Sequence, residues 1–144
     1  MNLLTRLRGG LEGQLAKYNN QAFADAAMGV CALVAGADGQ VEKQEMEKTA
    51  QFIARHDMLA AFDRRALAEK FKGYARDVTD DFDRLDVLQT IAKLKGKPDQ
   101  ARAAVKVGVI IANSDGDLEV EEVRVLKEIC AELSLDPSEF GLAV

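Results

Sequence analysis

One histidine, two cysteines, two prolines and no tryptophan are all that these 144 residues hold of those types, and each scarcity removes a class of chemistry. Cys31 and Cys130 stand far from any C-x-x-C spacing with only His56 to accompany them, so a thiolate zinc site lacks ligands. A Cys/His nucleophile or a Ser/His/Asp triad is equally short of partners. Both cysteines fall in apolar helical surroundings and read as small buried hydrophobes, while His56, closing "IARH", reads as a cation at a helix C-terminus. Basic residues are outnumbered, 19 against 24 acidic, for a net charge of −5, which argues against a nucleic-acid partner because counterion release needs a concentrated Lys/Arg surface. No apolar run approaches the roughly 20 residues of a membrane span, and "MNLLTRLRGG" is too short and broken for a secretory core. The expected location is cytoplasmic, with at most peripheral contact with the inner membrane through Leu3, Leu4, Leu7, Arg6 and Arg8; a first helix tucked onto the core is the simpler use of that face.

What is present is helical. With 48% hydrophobic and 30% charged residues the chain can bury a substantial core, and one domain over 1–144 is expected. Apolar residues recur at three- and four-residue spacing almost throughout. Asn19 or Asn20 caps a helix carrying Phe23, Ala27, Val30 and Val34 that ends at Gly36. A second starts at Glu42 with Met46, Thr49, Ala50 and Ile53 on one face, and a third runs through "RRALAEKFKGYARD". Asp80 or Asp81 caps a fourth, with Phe82, Leu85, Leu88, Ile91 and Leu94 as its stripe, and the rest of the acidic run Asp77 to Asp86 is an exposed face. Asp99 caps the most apolar helix, to Ala112, in which Gly108 permits close approach of a neighbour. Val123, Leu126, Ile129, Cys130 and Leu133 mark the next, and "LDPSEFG" predicts a short closing turn with Asp136 at its cap. The fold class is all-α, a compact bundle of about seven helices.

Sliding the chain on itself superposes "AAMGVCALVAGADGQVEKQEMEKTAQFI" on "AAVKVGVIIANSDGDLEVEEVRVLKEIC". Asp38 meets Asp115, Gly39 meets Gly116, Glu42 meets Glu119, Glu45 meets Glu122, and Val41 meets Leu118. Each copy reads as an apolar helix, then D-G-x-[VL]-E-x-x-E, then an amphipathic helix; two such units can bury their apolar faces about a pseudo-twofold axis. Counted from the glycine, the spacing matches the second half of an EF-hand loop, with the last Glu in the bidentate slot. The leading carboxylates are missing: Val34 and Gly36 occupy those slots in the first copy, Ile111 and Asn113 in the second. Neither turn is therefore an EF-hand.

The acidic residues admit two uses. Asp38, Glu42 and Glu45 with Asp115, Glu119 and Glu122 supply hard oxygen ligands suited to Ca²⁺, Mg²⁺ or Mn²⁺, one ion per turn or one shared. Equally, acids at a helix start complement the dipole, and Glu45 or Glu122 can complete a capping bond. Capping alone does not call for so many carboxylates, counting Asp117 and Glu121, because they repel one another.

These paired motifs, with "YNNQAFADAAMGVCALVA" and "FKGYARD", make nearly the whole chain resemble the TerB tellurite-resistance family. The resemblance implies a TerB-like helical bundle in bacterial cytoplasm, working in stress resistance beside a TerC-type membrane protein and TerD-type calcium-binding proteins. It also implies divalent-cation sites on Asp38, Glu42, Glu45, Asp115, Glu119 and Glu122. The expectation is a non-enzymatic, cation-responsive interaction protein with no organic cofactor and no nucleic-acid partner. A metal-independent acidic scaffold docking on a basic partner is the alternative.

Overall fold

Eight α-helices and no strand are found among the described residues, 3–142, in a computed structural model of the chain. They are α1 (Leu3–Arg8), α2 (Leu11–Lys17), α3 (Gln21–Ala35), α4 (Lys43–Arg55), α5 (Arg64–Asp77), α6 (Asp81–Ala92), α7 (Pro98–Ala112) and α8 (Val120–Glu132), with single 3-10 turns at Asp57–Leu59, Asn113–Asp115 and Pro137–Phe140. The side chains of Leu3 and Asp115 lie outside the described residues. The expected first helix is in two pieces, broken where Gly10 takes a left-handed φ of 74°, and Leu7 of its first piece is buried in the core. No helix among the described residues is long and apolar enough to cross a membrane.

Local chemistry sets most boundaries. The Asn20 side chain accepts the Phe23 N–H at 2.8 Å and starts α3; Asp80 accepts from both Phe82 and Asp83 N–H at 3.0 Å and starts α6; Asp136 accepts from Ser138 N–H at 2.9 Å in the closing turn. The start of α7 differs from expectation. Lys97, without a side-chain cap, is its N-cap and Pro98 its first residue, since proline's fixed φ suits that position; Asp99 sits in the first turn and pairs with Arg102 at 3.3 Å. His56 also departs from expectation. Its Nδ1 accepts the Met58 N–H at 3.1 Å, a role for the neutral ring, and burial, then the Arg8 charge, hold its pKa below the usual histidine value.

At the centre lies α3, packed against α5, α6, α7 and α8, with every residue from Ala26 to Val34 buried. It crosses α7 where Val30 meets Gly108: a Cβ on that glycine would run into Val30 Cγ1. Gly29 serves α6 similarly, since a Cβ there would lie 3.2 Å from both Val87 and Ile91. Those two residues turn the core face of α6 away from the predicted stripe. Ile91 and Leu94 are buried as expected, but Phe82 is 82% and Leu85 54% exposed. The buried side chains form one continuous cluster from Leu7 to Leu142.

Candidate functional site

Both acidic turns follow helices whose ends the α3–α7 crossing fixes. After α3, Gly36 closes the helix and Gly39, at φ 88°, makes the sharp turn; after α7 and its 3-10 extension, Gly116 does so at φ 129°. Both φ values lie where an L side chain is strained, which explains the glycine in each motif. Val41 and Leu118 pack partly buried against the core and pin the turns. The slots that would hold an EF-hand's leading carboxylates are used otherwise: Val34 and Ile111 are buried, and Asn113 Nδ2 donates to the Val109 carbonyl at 2.9 Å, closing the end of α7.

Downstream the copies differ. In the second, Glu119 is the N-cap of α8 and its N–H donates to Glu122 Oε1 at 2.8 Å, the reciprocal arrangement of a capping box. In the first, Glu42 is the N-cap of α4 without a side-chain cap, and Glu45 turns to the space between the copies. Asp38 accepts the Gln40 N–H on Oδ1 at 3.0 Å, folding its turn on itself.

The two turns face one another across a cleft. One hollow of about 120 Å³ is lined by Val34, Ala35, Ala37, Asp38, Glu45, Glu119, Glu121 and Glu122. A second, of about 180 Å³, shares Glu45, Glu119 and Glu122, adds Asp117, and is floored by Cys31, Met46, Thr49 and Ile111. Of the predicted ligands, Asp38, Glu45, Glu119 and Glu122 therefore line one cleft, whereas Glu42 is exposed at the helix cap and lines neither hollow. Asp115 was predicted as well; its side chain is outside the described residues. Asp117 and Glu121 complete the acidic wall, and neither hollow has a lysine or arginine among its described lining residues.

The crowding marks Glu122. Burial raises its pKa above the ordinary glutamate value, the Glu119 N–H works against that rise, and the charges of Glu119, Asp38 and Glu121 add to it. Asp38 belongs to the other copy, so repulsion reaches across the cleft. Among the described residues no three acidic, histidine or cysteine side chains are gathered closely enough to hold an ion as they stand. Beneath them the Cys31 thiol is buried and its pKa pushed up to about 12; Cys130, also buried, is pushed up to about 11.

Comparison with known proteins gives two findings. Residues 24–143 match the family model described as tellurite resistance protein TerB. A tellurium resistance protein TerB from an Alcaligenes species is 29% identical over 108 residues, which cover 74% of this chain and 88% of that protein. No solved structure matches.

Proposed function

The chain belongs to the TerB family, and on that premise we propose that it serves tellurite-related stress resistance as a non-enzymatic protein whose interactions respond to a divalent cation. The observation that carries this reading is the convergence of Asp38 and Glu45 from one turn with Glu119 and Glu122 from the other on a single acidic cleft. Carboxylates alone form a hard-oxygen site, suited to Ca²⁺, Mg²⁺ or Mn²⁺. A bound ion relieves the repulsion around Glu122, ties the start of α4 to the start of α8, and changes both charge and shape on the surface that a partner meets. TerC-type membrane proteins and TerD-type proteins are the partners this reading names. Tellurite is an anion that the cleft repels, so its part in resistance is indirect. Buried thiols held in the neutral form lend no support to thiol-based reduction.

Titration calorimetry with each of the three ions tests the reading. One of them gives saturable heat at about one ion per chain, the stoichiometry of a shared cleft. Glu45→Gln and Asp38→Asn each weaken binding by about tenfold or more, a loss of ~1.4 kcal/mol. Absence of saturable heat in the wild type rejects it. A second reading, a metal-independent acidic scaffold, is favoured by the Glu122 bond to the Glu119 N–H, which gives that acid a purely structural use. Under it, partner binding survives a chelator and falls with ionic strength.

A further inference from the structure

The outer faces of α6 and α8 carry a pair of features that the acidic cleft leaves unused. On α6, Phe82 and Leu85 stand 82% and 54% exposed, flanked by Asp83 and Asp86, an apolar knob in an acidic collar. On α8, Val120, Val123, Arg124 and Lys127, with Leu118 of the preceding turn, line an open hollow of about 430 Å³, with Val120 70% exposed: an apolar depression edged by two cations. The two helices lie against each other, and Arg84 of α6 grips Glu128 of α8 through two bonds of 2.7 and 3.2 Å. Knob and hollow therefore sit on neighbouring helices of one molecule, opposite in both shape and charge.

We propose that this face joins two copies of the chain, the Phe82 knob of each entering the α8 hollow of the other. A twofold axis brings knob to hollow twice, so one surface satisfies itself, which is the economy of an isologous contact. Each insertion buries an aromatic ring in an apolar seat and sets Asp83 and Asp86 against Arg124 and Lys127. Within one chain the collar carboxylates crowd one another: Asp83 is held above the ordinary aspartate pKa, first by Asp80 and further by Asp77 and Asp86.

Sedimentation of the full chain from about 1 µM to about 1 mM tests this. The wild type shifts from monomer to dimer with concentration, and Phe82→Ser or Val120→Glu moves the midpoint up by about tenfold or more. Asp83→Lys and Lys127→Glu each weaken self-association, yet an equimolar mixture of the two variants pairs again, because each knob then meets a hollow of opposite charge. Unchanged helical circular dichroism and melting show that these surface variants fold. A wild type that stays monomeric throughout overturns the proposal, as does self-association indifferent to Phe82→Ser. A monomer that binds phosphatidylglycerol vesicles through Arg124 and Lys127 overturns it too, and assigns the hollow to an anionic membrane.

Discussion

Glu122 does two jobs that pull against each other. As a cap it must be close to the Glu119 N–H, and in that place it is half-buried near Glu119, Asp38 and Glu121. Its folded pKa is raised, so between the unfolded value and the folded one the native state holds the extra proton, and stability falls as pH rises through that window. Above it the penalty is full; below the unfolded value it is gone. Glu122→Gln keeps an oxygen for the Glu119 N–H and removes the charge. The variant is therefore more stable than wild type at neutral pH by about 0.5 kcal/mol, a figure kept small by solvent screening, and the gain disappears in acid; urea melts at both pH values measure it. If the variant is less stable at neutral pH, the charge is held by more than the cap. Cys31 and Cys130 give a second test at this scale. Both are free, buried and neutral at physiological pH, so a thiol-specific disulfide reagent labels the two only at the rate of unfolding and labels both at once in denaturant. Rapid labelling of the native chain would contradict the buried placement.

At the scale of the element, what the sequence reveals depends on range. Caps are written within four residues, so Asp136 was legible outright and Asn20 and Asp80 to within one residue, because a side chain and the N–H it serves are neighbours along the chain. The face of α6 was not. Phe82, Leu85, Leu88, Ile91 and Leu94 make a plausible stripe, but so do Val87, Ile91 and Leu94, and Phe82 lies roughly 140° around the helix from Val87. Gly29, on another helix, settles the choice by letting Val87 and Ile91 come close. The Gly108 crossing was legible because a lone glycine in a nearly all-apolar helix has few other uses. Its weight can be measured. Gly108→Ala sets a methyl against Val30 and costs about 1–3 kcal/mol in a denaturant melt, and Val30→Ala in the same chain recovers part of the loss. A neutral Gly108→Ala would mean that the two helices slide apart freely.

Across the whole molecule, the motif pairs could be read in the sequence but their meeting could not. The convergence of Glu45 with Glu119 and Glu122 depends on where α3 and α7 cross, and no residue spacing encodes that distance. Nor does position in the motif decide it: Glu42 and Glu119 are both N-caps, yet Glu119 lines both hollows and Glu42 neither. If the cleft takes an ion, the melting temperature rises with the logarithm of its concentration once above the dissociation constant, whereas sodium at equal ionic strength gives no such trend. The Glu45→Gln chain loses the cation-dependent rise, and a rise that persists in it would move the ion elsewhere.

The central position of α3 has a further consequence, in time rather than space. A helix covered by four others has its backbone amides released to solvent only when the molecule opens as a whole, so its amides are the slowest in the chain to exchange with deuterium. Val34 and Ala35, at the last turn of that helix, also form one wall of the acidic cleft. An ion seated there would press on the last part of the protein to open, and slower exchange would spread along all of α3 instead of fading a few residues from the turn.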